Sequence, residues 1–90
     1  MTSAPTPEGE GRSPLRAVVE VVVRALVDRP DDVRVSESQR RGMAMIELTT
    51  APGDMGKVIG RQGRTVSALR TLVALTAEKH GQRAQLDLRD

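Results

Sequence analysis

Cysteine and all three aromatic residue types are absent from this chain of 90 residues. Without Cys, the chain can form no disulfide, no thiolate nucleophile and no cysteine zinc site, which suits a reducing compartment. Without Phe, Tyr or Trp, the core must be built from aliphatic residues and Met, which bury less area per residue. The apolar fraction of 38% suffices for one modest core. We expect one domain of marginal stability, and self-association would add buried surface.

Long apolar segments are also missing. The one extended apolar run, residues 17–27, is interrupted by Glu20 and Arg24, and it is too short to cross a bilayer. The N-terminal residues contain no apolar stretch of signal-peptide length. The sequence therefore predicts a cytoplasmic protein that has no membrane contact.

The net charge of +2 is small, but its distribution is uneven. Residues 55–77 contain four basic residues and no acidic one, whereas residues 1–54 carry nine acids against seven basic residues. The basic residues are Lys57, Arg61, Arg64 and Arg70. Positive charge concentrated around one glycine-rich stretch indicates a local anion site, and a solvated helix face is the alternative interpretation.

The first third of the chain predicts a tail and then a helix. Residues 1–12 combine prolines and glycines with few bulky apolar side chains, so we expect a disordered tail. Ser13-Pro14 is typical of a helix start, and Pro30 predicts that the helix stops near Asp28. Its apolar stripe comprises Leu15, Val18, Val19, Val22, Val23 and Leu26. The β-branched residues also permit a strand, but the length and the cap favour a helix.

The remaining two thirds predict a hairpin, two helices and a last strand. Apolar residues alternate on both sides of the turn at residues 40–42, which indicates a β-hairpin with one buried face. Pro52 opens a short helical segment through about Ile59. A longer helix follows Gly63 and places Val66, Leu69, Leu72, Val73 and Thr76 on one side. The alternating residues 84–88 predict a final strand, which completes the order αββααβ.

The glycine loop between the two predicted helices is the most informative motif. Gly60 and Gly63 flank Arg61 and Gln62, and glycine permits both a tight turn and the close approach of another backbone. The following helix directs free N–H groups and its positive dipole end toward the loop. Basic side chains at Lys57, Arg61 and Arg64 add positive charge. A nucleic-acid backbone is the ligand that this combination favours.

The stretch Val58-Ile59-Gly60-Arg61-Gln62-Gly63 matches the V-I-G-x-x-G signature of KH domains, whose loop clamps single-stranded nucleic acid. The wider segment, residues 51–72, resembles the small bacterial single-KH-domain RNA-binding proteins of the KhpA (YlqC) family. The resemblance implies a type II KH domain of class α+β over residues 13–90. Such a domain is a three-stranded mixed sheet packed on one side by three helices.

The resemblance also implies roles for particular residues and partners. Gly60 and Gly63 would frame a backbone clamp, and Arg61 and Gln62 would face phosphate. The floor on which bases lie would comprise Val58, Ile59 and Val66. The family implies RNA chaperoning, control of the cell wall and cell shape, and pairing either with itself or with a larger KhpB-like KH protein.

Two other functions are weighed against RNA binding. An enzyme is disfavoured because the stretch from Gly53 to Val58 lacks the glycine spacing and the Ser or Thr of a phosphate loop. In addition, Ser67 has no evident base and His80 has no second ligand beside it. We therefore expect no catalysis, cofactor, metal or small-molecule substrate. A pure interaction module, in which RNA contact is incidental, is the stronger alternative.

Overall fold

The computed structural model describes residues 13–89, so the expected tail of residues 1–12 lies outside the described part. Its elements follow the predicted order αββααβ. They are α1 (Pro14–Leu26), β1 (Arg34–Arg40), β2 (Met43–Thr49), α2 (Met55–Ile59), α3 (Arg64–Lys79) and β3 (Arg83–Arg89). Short 3-10 turns cover Pro30–Asp32 and Arg61–Gly63. Within residues 13–89, no helix combines the length and apolar character needed to cross a membrane.

The predicted cap of α1 is confirmed. The Ser13 hydroxyl accepts a hydrogen bond from the Arg16 backbone N–H at 3.1 Å, and Pro14 occupies the first helical position. The same hydroxyl donates to the Glu37 carboxylate on β1, which joins the start of the helix to the sheet. The helix ends at Leu26, two residues before the expected stop, because Val27 already has extended angles.

The sheet has the order β1-β2-β3, with β2 in the centre. β1 and β2 are antiparallel, whereas β2 and β3 are parallel, so the predicted mixed sheet is confirmed. The hairpin turn consists of Arg41 and Gly42, with φ values of 54° and 77°. Positive φ at both positions gives a two-residue turn whose twist matches that of the strands. The parallel pairing requires the connection through α2, the glycine loop and α3.

All three helices cover one face of the sheet, and the core lies between the two layers. Its fully buried large side chains are Leu15, Val19, Val23, Ile46, Leu48, Val58, Leu69 and Val73. Two residues expected in the buried stripes lie at the surface instead: Leu72 is 44% exposed and Leu26 is 39% exposed. In α3 the buried line passes through Ala77, and Leu72 is rotated to the flank of that line.

The short helix before the glycine loop starts later than predicted. Residues 52–54 form a turn, closed by the Asp54 N–H donating to the Ala51 carbonyl at 3.0 Å, and α2 begins only at Met55. Gly53 has a φ of 90°, which a helix cannot contain. The buried Asp54 carboxylate accepts from the Arg29 backbone N–H at 3.0 Å. This bond holds the segment that follows α1 against the start of α2.

We expect Ser13→Ala to lower the free energy of unfolding by about 1 kcal/mol, because the α1 cap and the bond to Glu37 are both lost. Urea denaturation followed by circular dichroism measures this change. Ser38→Ala, at an exposed strand position, is the matched control and should stay within about 0.5 kcal/mol of the parent. Equal losses for the two variants would contradict the assignment.

Candidate nucleic-acid interface

The loop between α2 and α3 is made of unusual backbone angles. Gly60 has a φ of 77° and a ψ of 172°, Gln62 has a φ of 57°, and Gly63 has a φ of 73°. The Gly60 N–H donates to the Gly56 carbonyl at 2.9 Å, and the Gly63 N–H donates to the Gly60 carbonyl at 3.1 Å. The loop therefore reverses direction within four residues while its own backbone bonds keep it defined.

Gly60 is required for a second reason, which is its distance from Thr65. A Cβ atom built on Gly60 would lie 2.2 Å from the Thr65 hydroxyl oxygen and 3.0 Å from the Thr65 backbone nitrogen. Real Cβ atoms essentially never come as close to another heavy atom as the first of these distances. The Thr65 side chain therefore packs directly under the loop, a contact that sequence reasoning missed because it depends on the fold of the turn.

The N-terminus of α3 opens onto this loop. Its N-cap residue is Gly63, which provides no side-chain cap, and the first turn contains no acidic residue. The helix has 16 residues, long enough to develop a positive dipole end at its first turn. Backbone N–H donors and the dipole together favour an anionic group at this position.

The four predicted cations differ in how they are used. Arg61 and Arg64 are exposed, and neither side chain forms a hydrogen bond or ion pair with the other described residues. Lys57 instead has its ammonium group 3.2 Å from Asp28 and 3.8 Å from Asp54. These two carboxylates offset its charge, so Arg61 and Arg64 are the cations directly available to an anion at the loop.

Arg70 lies farther along α3 and is also engaged. Its guanidinium group donates to the Leu86 carbonyl of β3 at 3.3 and 3.4 Å. β3 is an edge strand, and its outward carbonyls would otherwise be open to water or to another strand. The structure thus places Arg70 against the sheet edge, away from the group formed by Arg61, Gln62 and Arg64.

The three apolar residues expected to support bases have different exposures. Val58 is fully buried in the core and Val66 is 8% exposed, whereas Ile59 is 39% exposed. Ile59 is therefore the member of this set that offers apolar surface next to Gly60. Val58 and Val66 hold the two helices that flank the loop onto the core.

Among residues 13–89, no group of three or more His, Cys, Asp or Glu side chains is arranged to hold a metal ion. His80, weighed above as a catalytic residue, has its ring Nδ1 2.9 Å from the Thr76 carbonyl at the end of α3. This contact with the helix end is a structural one.

A mixed three-stranded sheet covered on one face by three helices, two of them joined by a Gly-x-x-Gly loop, defines a KH domain with the type II element order. The model of the KhpA/KhpB KH-domain family matches residues 16–88 of this chain. The chain belongs to that family, which is not a family of enzymes. Family membership therefore excludes the interpretation of residues 53–58 as the phosphate loop of an enzyme.

Several relatives are similar over nearly their whole length. A protein of Halalkalibacterium halodurans is 51% identical over 76 residues, which are 84% of this chain and 100% of the relative. A protein of Aquifex aeolicus is 42% identical over 76 residues, covering 84% and 96% of the two chains. One from Clostridium perfringens is 39% identical over 74 residues, covering 82% and 99%. Each of the three is named RNA-binding protein KhpA.

We predict that Gly60→Ala destabilises the domain by at least about 2 kcal/mol, because it adds a clash with Thr65 to the backbone cost of a positive φ. Gly42→Ala is the matched control: Gly42 has the same φ of 77° but nothing within 4 Å of its Cβ position. The control should lose about 1 kcal/mol. Urea denaturation measures both values, and equal losses would show that the contact with Thr65 has no energetic weight.

Proposed function

We propose that this protein binds single-stranded RNA by its backbone at the loop formed by residues 60–63. The observation that carries the proposal is the geometry at the start of α3, where positive-φ residues, an uncapped helix N-terminus and two uncommitted arginines coincide. Amide donors of the loop and of the first turn of α3 would bind phosphate oxygens, and Arg61 and Arg64 would neutralise their charge. The names of the relatives agree with RNA as the ligand.

The affinity expected of this site is modest. Sequence-tolerant single-strand binders gain about 1–3 kcal/mol per base from stacking on aromatic side chains, and this chain contains none. Backbone contacts, arginine and the exposed part of Ile59 must therefore supply the binding. We expect a dissociation constant on the order of micromolar, in the range of electrostatic binding without sequence preference.

A weak grip that ignores base identity suits an RNA chaperone, because RNA strands must exchange rapidly for misfolded pairings to be released. We propose this role for the protein in the cytoplasm. The family resemblance further suggests action with a KhpB-like partner in the control of the cell wall and cell shape. This part of the proposal is supported by family membership rather than by any distance in the site.

We propose in addition that the protein forms a homodimer or pairs with such a partner. Leu72 and Leu75 on α3 are 44% and 56% exposed, and Val21 on α1 is 70% exposed. The α1 surface around Val21 also includes Ala17, Val18 and Val22, which line a shallow apolar depression. Apolar side chains at the surface of a small domain with a limited core would contribute more stability when covered by a second chain.

We predict that the double variant Arg61→Asp/Gln62→Asp lowers the affinity for RNA at least about tenfold without unfolding. Carboxylates at the loop repel phosphate, and both side chains are exposed. Fluorescence anisotropy with unstructured RNA measures the binding. For the parent protein, log affinity against log salt should slope at about −2 to −3 if three or four phosphates are neutralised.

The control variant for the loop is Arg24→Glu/Ala25→Glu, which makes the same change in net charge at exposed positions of α1. It should retain binding to within a few-fold, and circular dichroism should show both variants folded. An undiminished RNA affinity of the loop variant, with the partner interaction intact, would favour the pure interaction module instead.

We predict that Leu72→Gln/Leu75→Gln lowers the solution mass toward the monomer value of 9.7 kDa, because the apolar surface available to a second copy is reduced. Sedimentation equilibrium at micromolar concentration measures the mass. Ala74→Gln, at an exposed position of the same helix, should leave the mass unchanged. A parent protein that is already monomeric would contradict the homodimer and leave only the pairing with a different KH protein.

A further inference from the structure

The sheet face opposite the helices carries a set of side chains that the loop does not use. Cross-strand partners point to the same face, so the register divides this face into four rows of three residues. The row at the hairpin end is Arg40-Met43-Arg83, and the next is Ser38-Met45-Gln85. The two remaining rows are Ser36-Glu47-Asp87 and Arg34-Thr49-Arg89. We call this surface the open face.

The arginines of the open face divide into two pairs. At one end, Arg34 donates to the Asp31 carbonyl at 2.9 Å, and Arg89 is 3.0 Å from the Glu47 carboxylate. At the other end, the side chains of Arg40 and Arg83 are exposed and bind none of the described residues. Adjacent strands are about 5 Å apart, so the Cα atoms of Arg40 and Arg83 are separated by about 10 Å across Met43.

A third unbound cation adjoins this row. Arg41 is exposed and occupies the first position of the hairpin turn, with a φ of 54°. Asn, Asp and Gly are the residues that this position favours. Arginine here has a less favourable backbone conformation than Asn would have, and it adds a third positive charge at the same end of the sheet.

Met43 and Met45 supply the apolar part of the surface. Both lie on the central strand and are half-buried by their neighbours, although no described element covers the open face. Thioethers are polarizable and make favourable contacts with aromatic rings. Nucleobases are such rings, and the flanking Ser38 and Gln85 can exchange hydrogen bonds with base edges.

Acidic residues are displaced from this end of the open face. Glu47 and Asp87 share a row four residues from Met43 along the strand, which is about 13 Å. Glu78 of α3 lines the same shallow depression as Arg83 and partly offsets its charge. The end bearing Arg40, Arg41 and Arg83 thus keeps an excess of positive charge.

This surface is separate from the glycine loop. α3 begins directly after Gly63 and ends four residues before Arg83, and its 16 residues span about 24 Å. The loop and the hairpin end of the sheet therefore lie at opposite ends of α3.

We infer that the hairpin end of the open face is a second contact surface for single-stranded RNA. The arginines bind phosphate, and Met43 and Met45 lie against bases. The inference rests on RNA being the ligand proposed above, but not on the glycine loop being its clamp. RNA fits this alternation of cations and thioethers, because every nucleotide supplies both a phosphate for an arginine and a ring for a methionine.

The methionines themselves provide the probes. The chain contains four, and the three within the described residues are Met43 and Met45 on the open face and Met55 on α2. Protein with methyl-13C methionine is titrated with a short oligouridylate, both as the parent and with Arg61→Asp/Gln62→Asp. We expect the methyl signals of Met43 and Met45 to shift in both proteins, while amide signals of residues 60–64 shift only in the parent.

Variants of the arginines then test the contact. Arg40→Gln/Arg83→Gln should abolish the methyl shifts of Met43 and Met45, leave the response of residues 60–64, and reduce the salt slope by about 1.4 for two lost phosphate contacts. Arg41→Asn should weaken the methyl shifts while keeping or raising stability, because Asn suits the turn. Arg34→Gln/Arg89→Gln removes the same charge from the internally bound pair and should preserve the shifts.

Three results would overturn the inference. Met43 and Met45 signals that do not move with oligouridylate would exclude the contact. Equal loss of the methyl shifts in Arg40→Gln/Arg83→Gln and Arg34→Gln/Arg89→Gln would show that net charge alone, and not this surface, causes the RNA response. Equal shifts with polyglutamate would assign the surface to acidic protein segments instead. If the methyl signals move and the amide signals of residues 60–64 do not, the proposal that the loop clamps RNA is contradicted, and the inference about the open face is supported.

Discussion

The approach of the chain to itself at Gly60 constrains the rest of the site. The loop backbone passes so close to Thr65 that a single methyl group at position 60 would displace the start of α3. The contact joins the loop at the end of α2 to the first turn of α3. In the proposed site, backbone geometry would therefore supply most of the anion binding, while Arg61 and Arg64 would add charge to a site whose shape is already set.

The described cations differ in whether they have partners within the fold. Lys57, Arg34 and Arg89 have partners that stabilise connections and strand pairing, and Arg70 covers a carbonyl at the sheet edge. Such pairs contribute little energy each when exposed. Arg61 and Arg64 at the glycine loop, and Arg40, Arg41 and Arg83 at the hairpin end, bind none of the other described residues with their side chains. The net charge of +2 does not reveal these two groups of arginines, because acidic residues elsewhere in the chain balance their charge.

Much of the fold could be predicted from the sequence because its signals are local. Ser13-Pro14 starts a helix by its own chemistry, and the alternation around Ile46 and Leu86 marks strands with one buried face. The glycine loop was visible for the same reason, since two glycines at this spacing permit the turn they form. Family resemblance then supplied the mixed sheet topology.

The remaining errors concern relations between distant segments. Leu72 was expected in the core, but which side of α3 meets the sheet depends on where β3 lies. The pairing of Lys57 with Asp28 and the bond from Arg70 to the Leu86 carbonyl join residues 29 and 16 positions apart in the sequence. The spacing of residue types along the sequence does not indicate such partners. By charge alone, Lys57 and Arg70 are candidates for binding an anion just as Arg61 is. Only the three-dimensional packing shows that Lys57 and Arg70 have partners within the fold and that Arg61 has none among the described residues.

The parallel pairing of β2 with β3 has a consequence for the order in which the domain folds. The 33 residues between Thr49 and Arg83 must fold into α2, the loop and α3 before the two strands can meet, so closure of the sheet is a non-local event. Until β3 joins the sheet, the core on which α3 rests lacks Leu86. The glycine loop lies within the same connection, so we expect its native geometry to be complete only once β3 has joined the sheet.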